Sequence, residues 1–206
     1  MAGPTKAQIA QLRQRIVDLL NSDPVQKINF SFRKVRVSGS DYTYVALAMV
    51  GKHSSLNYNF SVAAGAAATY QPNKTNTFSF PSAGYGASDA FEKMTIVHEC
   101  THAVIDAKRS LGQIPQLDNE IASYIAGGLY NVFNKSPFSP PGATGIYPEA
   151  HKLTKRMAKT IDKWHYTDTY ALDNSDITPL SSAIVASPTY SGISTTAPYG
   201  DDGLSL

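Results

Sequence analysis

HECTH, residues 98–102, is the stretch of this sequence that decides its fold and its chemistry. On an α-helix, positions i and i+4 lie one above the other, so the imidazoles of His98 and His102 could reach one cation. Glu99 is rotated slightly around the helix and would approach the open side of that cation, where a glutamate can act as a general base. The stretch therefore predicts a helix that carries a hydrolytic metal site.

The residues around this stretch are typical of a buried helix. Asp89 followed by Glu92 predicts a capping box at the helix start, and Gly112 predicts the helix end. The apolar residues between these signals are Met94, Ile96, Val97, Val104 and Ile105. An HExxH string occurs by chance in roughly one chain of this length in a few hundred, so the motif needs support from elsewhere in the sequence.

A third metal ligand is expected, because catalytic zinc usually takes three protein ligands and keeps one position open for water. Glu120 is the candidate, since it stands at the start of a second apolar segment, residues 121–130. A short connection containing glycine and proline would set the two helices side by side. His98, His102 and Glu120 would then bind Zn²⁺, although cobalt, manganese or iron could occupy the same ligands.

Two segments of the chain resemble thermolysin-like metalloproteases. HECTHAVID, residues 98–106, is similar to the active-site helix of that family, and NEIASYIAG, residues 119–127, is similar to its NExxS segment. The match covers only these two segments, and the chain is too short for the two-domain architecture of those enzymes. The resemblance therefore implies a minimal gluzincin of the zincin class.

The resemblance also implies a role for each matching residue. His98, His102 and Glu120 would be the zinc ligands, Glu99 would be the general base, and Asn119 would orient a ligand histidine through a hydrogen bond.

The sequence departs from the family pattern four residues after Glu120, where the family has an aspartate and this chain has Tyr124. The carboxylate that would accept the second N–H of a ligand histidine is therefore missing at that position. Asp106 could replace it, because it lies one turn beyond His102 on the same helical face. The alternative is that Asp106 is a surface carboxylate near the end of the helix.

Hydrolysis through a tetrahedral oxyanion requires a further hydrogen-bond donor, which a tyrosine or a histidine supplies in this class. We favour Tyr124 as this catalytic residue, because it follows Glu120 by one turn and should lie near the metal. The alternative is a tyrosine of an amphipathic core helix. The other candidates are Tyr85, Tyr147, His151, His165 and Tyr166.

The segments before the motif predict a helix followed by strands, and hence an α+β fold. Apolar residues at helical spacing mark an N-terminal helix that ends at Asp23. The strand patterns predict a hairpin of residues 28–37 with residues 42–50, a strand at 56–62 and a short strand at 76–80. As in zincins, they would form a small, mostly antiparallel sheet packed on the HExxH helix, followed by further helices.

Residues 75–80 are the candidate edge strand for pairing with an extended peptide substrate, again by analogy with zincins. The alternative is a plain structural strand without contact to a substrate.

The segments after the motif predict a loop, a helix and a tail. Residues 134–147 are rich in Pro, Gly and Ser, and Pro148 then opens an amphipathic helix. We expect one zincin-like domain over residues 1–165. Residues 166–206 form a weakly patterned C-terminal tail that would wrap the domain or be partly disordered.

Composition is that of an ordinary globular protein of 206 residues with a formal net charge of +2. This charge is too small to argue for nucleic acid, and no apolar run is long enough to cross a bilayer. The start is not a signal peptide, so we expect a cytoplasmic location, with later export by a non-classical route left open. Cys100, the single cysteine, is expected to be a buried thiol.

These observations predict a zinc-dependent endopeptidase that acts on a protein or peptide substrate, with no nucleic acid or membrane partner. The oligomeric state is not indicated by the sequence. Two alternatives stay open. A non-catalytic protein could hold a structural zinc site closed by a fourth ligand such as His151 or His165, and a metalloprotease toxin or effector could cleave one protein narrowly.

Overall fold

The structure is a computed structural model that describes residues 4–51, 56–60, 62, 67–72, 76–108, 114–136, 145–161 and 168–197. Within these residues the protein is α+β, with seven α-helices and two three-stranded sheets. The helices are α1 (Lys6–Leu20), α2 (Asp23–Gln26), α3 (Gly39–Val50), α4 (Ala90–Ala107), α5 (Gln116–Phe133), α6 (Ile146–Ile161) and α7 (Asn174–Val185). The strands are β1 (Asn29–Phe32), β2 (Val35–Ser38), β3 (Asn57–Asn59), β4 (Thr69–Gln71), β5 (Thr77–Ser79) and β6 (Tyr170–Ala171). Of the helices described, none combines the length and the apolar character that a membrane crossing requires.

The predicted N-terminal helix is confirmed as α1. Its capping box joins Thr5 and Gln8, because the Thr5 hydroxyl accepts from the Gln8 N–H at 3.3 Å and the Gln8 carbonyl oxygen accepts from the Thr5 N–H at 2.8 Å. Leu12, Ile16 and Leu20 lie on one face at helical spacing and are fully buried. The capping residues and the apolar spacing in the local sequence are therefore sufficient to predict α1.

The two sheets are mixed, so the prediction of a mostly antiparallel sheet is wrong. In the first sheet, β1 pairs with β2 antiparallel and with β6 parallel. In the second, β5 pairs with β3 parallel and with β4 antiparallel. The strand pattern of the sequence carries no information about the direction in which β6 pairs with β1.

Residues 42–50 form most of α3. The sequence-based prediction that they form a strand of a hairpin is therefore wrong. The Asp41 carboxylate accepts from the Ser38 N–H at 2.7 Å and so caps the helix start. Tyr42, Val45 and Met49 are buried at helical spacing, whereas Leu47 is 55% exposed. The nearly continuous apolar run of this helix resembles a strand, and only its cap distinguishes the two. The hairpin is formed instead by β1 and β2, and Arg33 in its turn has a positive φ of 46°.

The strand predicted at residues 76–80 is confirmed as β5, but its proposed function as a substrate-binding edge is contradicted. β5 is the central strand of its sheet, with β3 on one side and β4 on the other, so both of its edges are already paired. Thr75 lies outside the described residues. The strand predicted at 56–62 is confirmed only in its first part, as β3.

The HExxH stretch lies in α4, as predicted. The Asp89 carboxylate accepts from the Glu92 N–H at 2.9 Å at the helix start, while the Glu92 carboxylate accepts from the Gly86 N–H. Gly112, the predicted helix end, lies outside the described residues. In the layer of helices, α4 packs against α5, α5 against α6, and α6 against α7.

The described part of the C-terminal tail is docked on the domain. β6 pairs with β1, and Ile177, Leu180 and Ile184 of α7 are buried. Pro179 stands inside α7, where proline removes a backbone donor, and this obscures the helix in the sequence.

We predict that Gly39→Ala destabilises the fold by about 1–3 kcal/mol. A Cβ at Gly39 would lie 2.3 Å from the backbone oxygen of Gln26, so the start of α3 would have to move away from α2. Gly84→Ala is the control, because the nearest atom to its added Cβ is 3.8 Å away. Urea unfolding measures both variants, and equal midpoints would contradict the predicted steric contact.

Candidate functional site

The candidate site forms where α4 and α5 approach closely. A Cβ at Gly127 of α5 would lie 3.2 Å from the Met94 side chain and 3.7 Å from the Cβ of His98. The contact with Met94 would be tight, so glycine at this position favours the close approach of the two helices. Glu120 stands two turns before Gly127 on α5, so it faces the same surface of α4 as Gly127 does.

The structure brings His98, His102 and Glu120 together. The two Nε2 atoms of the histidines are 3.3 Å apart. Glu120 Oε2 lies 3.4 Å from Nε2 of His98, and Glu120 Oε1 lies 3.7 Å from Nε2 of His102. The nitrogen and oxygen atoms that bind one tetrahedral zinc ion at 2.0–2.2 Å are separated from one another by about 3.3–3.5 Å. The observed separations, which involve both oxygens of Glu120, lie in or near this range, so the three side chains could hold a metal ion.

Glu99 completes the cluster. His98, Glu99 and His102 each offer a ligand atom within 4.8 Å of the others, and Glu99 Oε1 lies 3.9 Å from Nε2 of His98. Glu120 Oε2 is buried and has no hydrogen-bond partner of good geometry among the described residues. A buried carboxylate oxygen beside two imidazoles is a position that a cation would satisfy.

Burial and charge separate the pKa values of the four groups. Burial raises the pKa of Glu99 to about 7, against the opposing effect of His98, and lowers the pKa of His102 to about 4. Burial alone would raise the pKa of Glu120, but the charges of His102 and His98 lower it to about 2. Burial likewise opposes the charged form of His98, but Glu120 and Glu99 raise its pKa overall.

Asn119 lies beside His102, on the side of the ring away from Glu120. Its Oδ1 is 2.7 Å from Nδ1 of His102, and the Ser123 hydroxyl oxygen is 3.2 Å from the same nitrogen. Because the Ser123 hydroxyl donates to the main-chain carbonyl of Asn119 at 3.0 Å, the lone pairs of the Ser123 oxygen remain for the histidine N–H. Two acceptors thus face Nδ1, which leaves the lone pair of His102 on Nε2.

Tyr70 of β4 contacts both Glu99 and Asp106. Its backbone N–H donates to Glu99 Oε2 at 2.7 Å, and its hydroxyl donates to Asp106 Oδ2 at 2.6 Å. Asp106 is fully buried, so the alternative of a surface carboxylate is wrong. β4 is an outer strand of its sheet, and it is this strand, rather than β5, that lies beside the general-base candidate.

An aromatic group borders the site on the α5 side. The Tyr124 ring meets the His98 ring edge to face at 4.6 Å, and its hydroxyl is 2.8 Å from the hydroxyl of Tyr190. Tyr147 contacts Tyr124 at 5.7 Å between ring centroids. Tyr190 was missed by sequence analysis, because it belongs to a surface segment without periodicity and reaches α5 only through the tertiary fold.

The sequence also offered other tyrosines and histidines as oxyanion donors or zinc ligands, and it predicted a buried thiol at Cys100. The Tyr85 hydroxyl accepts a long hydrogen bond, 3.4 Å, from the Ala68 N–H. His151 stands on α6 and does not belong to the cluster formed by His98, Glu99 and His102. His165 and Tyr166 lie outside the described residues. Cys100 is a fully buried free thiol, as predicted.

Comparison of the chain with protein-family models, with curated proteins and with solved structures finds no match. The resemblance to thermolysin-like proteases therefore depends on the two motif segments alone.

We predict that His102 of the metal-free protein is the Nδ1–H tautomer at neutral pH, because Asn119 and Ser123 both accept at that nitrogen. Long-range ¹H–¹⁵N spectra distinguish the two tautomers. Asn119→Ala should shift the population towards the Nε2–H form, whereas Asn134→Ala, at an exposed position on the same chain segment, should leave it unchanged. An Nε2–H tautomer in the wild type would contradict the assigned hydrogen bonds.

Proposed function

We propose that this protein is a zinc-dependent endopeptidase with a minimal zincin-like site of the gluzincin type. The observation that supports it best is the convergence of two imidazole nitrogens and one carboxylate, 3.3–3.7 Å apart, beside a second buried carboxylate. His98, His102 and Glu120 would hold the ion. Zinc bound there would act as a Lewis acid on a carbonyl oxygen and lower the pKa of water.

Glu99 is the proposed general base. The N–H of Tyr70 holds its Oε2, and Oε1 faces the histidines at 3.9 Å from Nε2 of His98. The proton of the attacking water therefore moves to Oε1, from which it passes to the nitrogen of the leaving amine. The N–H of Tyr70 holds the carboxylate in one orientation throughout these transfers.

Tyr124 is the proposed donor to the oxyanion, because its ring lies against His98 at the border of the cluster. The pKa of Tyr124 is raised by burial, so the hydroxyl keeps its proton, and it would exchange its hydrogen bond with Tyr190 for one to the oxyanion. Asn119 would orient His102 through Nδ1, with the Ser123 hydroxyl as a second acceptor at the same nitrogen.

Substitution of the two site glutamates should separate metal binding from catalysis. We expect about one zinc ion per chain in the wild type and in Glu99→Gln, and a marked loss of zinc in Glu120→Gln, because only Glu120 is a proposed ligand. Cleavage of unfolded casein should fall about 10²- to 10⁴-fold in Glu99→Gln, the usual contribution of a general base. Elemental analysis and the cleavage assay are run on the same samples.

Glu149→Gln is the matched control, because Glu149 lies on α6 in an exposed ion pair with Lys152. A wild type without metal would refute the proposal. Metal without any turnover would favour a structural zinc site, and cleavage of one folded protein with casein left intact would favour a narrowly specific toxin or effector.

A further inference from the structure

The chain returns to the candidate site near its end, through residues 188–197, which we call the C-terminal strap. The strap begins with a 3-10 turn at Pro188–Tyr190 and lies mostly exposed on the surface. Gly192 has a positive φ of 85°, a conformation that favours glycine, and turns the strap towards the start of α5.

The strap caps the N-terminus of α5. Pro115, which precedes the helix, makes no side-chain cap, so the first N–H groups of α5 need other acceptors. The Ser194 carbonyl accepts from the Leu117 N–H at 3.1 Å, and the Ala197 carbonyl accepts from the Gln116 N–H at 3.0 Å. The Gln116 side chain accepts from the Ser194 N–H at 3.2 Å. The strap thus holds the helical turn that carries Glu120.

Tyr190 joins the strap to the site itself. Its hydroxyl lies 2.8 Å from the Tyr124 hydroxyl, and its side chain is a neighbour of Glu120 in the lining of one cleft. This cleft, of about 290 Å³, lies between the strap and α5.

We propose that the C-terminal strap positions Glu120 as a metal ligand and that Tyr190 is the positioning residue. The Tyr190 hydroxyl restrains the rotamer of the Glu120 carboxylate, and the carbonyl groups of the strap hold the turn from which that side chain extends. A carboxylate held in its binding rotamer loses less entropy when it binds an ion. The inference rests on the proposed zinc site and adds a segment 68–77 residues beyond Glu120 in sequence.

Apart from its contacts with α5, the strap contributes little buried surface to the core. Its 3-10 turn has no buried residue, and Tyr190 and Ile193 pack only partly buried against the core. Loss of the Tyr190 hydroxyl alone should therefore leave the stability of the domain nearly unchanged. If that loss weakened zinc binding, the cause would be the altered position of Glu120 and not general unfolding.

The test compares Tyr190→Phe with Tyr44→Phe, a control in which a tyrosine of α3 that is 36% exposed loses the same hydroxyl. Zinc affinity is measured by competition with a chromophoric chelator, and the Co²⁺-loaded protein is recorded by visible absorption. We expect Tyr190→Phe to bind zinc about 10- to 100-fold more weakly, with an altered Co²⁺ spectrum and an unchanged Tm. Zinc affinity and Co²⁺ spectrum equal to those of Tyr44→Phe would overturn the inference.

A second measurement does not depend on metal. Amide hydrogen exchange of the metal-free protein should be faster across residues 116–120 in Tyr190→Phe and in Gln116→Ala, because each variant removes one contact that holds this turn. If the wild type bound no zinc, the proposed function would fail, while faster exchange confined to this turn would still support positioning of Glu120 by the strap. Unchanged exchange in both variants would overturn the inference.

Discussion

The close approach of α4 and α5 at Gly127 is the constraint on which the rest of the structure depends. Two helices normally pack 8–10 Å apart, and the separation is set by the side chains at the contact. Gly127 contributes none, so α5 can lie against Met94 and His98 of α4. Glu120 is seven residues earlier, which is about two turns, and so faces α4 from the same side of its helix. The site is thus a consequence of helix packing.

That packing gathers two carboxylates and two imidazoles where water has little access, and such a cluster is costly unless its members compensate one another. The opposite pKa changes of Glu99 and Glu120 express this compensation, because both histidines lower the pKa of Glu120 below its usual value, whereas at Glu99 the opposing effect of His98 is outweighed by burial. The Glu99 carboxylate instead receives a backbone N–H from Tyr70. The positive charge of a divalent ion would lower the pKa of both carboxylates and so reduce the difference between them.

The sequence allowed prediction of those parts of the site that two neighbouring helices supply. His98, Glu99 and His102 follow from one helical repeat. Glu120 needed the assumption that the next helix packs beside it, and Asn119 was assigned from the resemblance to thermolysin-like metalloproteases. Contacts made by other elements leave no pattern in the local sequence, because the two residues in contact are distant in sequence. The same distinction applies to the fold. α1 was predicted from its periodic apolar face, while α3 was mistaken for a strand because its apolar run is nearly continuous and its cap at Ser38 was not recognised.

The contacts made by β4 show why parts of the site supplied by elements distant in sequence could not be predicted. Successive residues of a strand direct their backbone groups alternately to its two sides, and Tyr70 directs its N–H away from β5 and towards Glu99. The register that pairs Tyr70 with Phe78 therefore decides whether Glu99 receives this N–H at all. A shift of one residue would turn the N–H towards β5 and would remove the Tyr70 hydroxyl from Asp106. The tilted contact of the Tyr70 and Phe78 rings, with centroids 4.7 Å apart, favours the observed register. The orientation of the general-base candidate thus depends on aromatic packing in a three-residue strand.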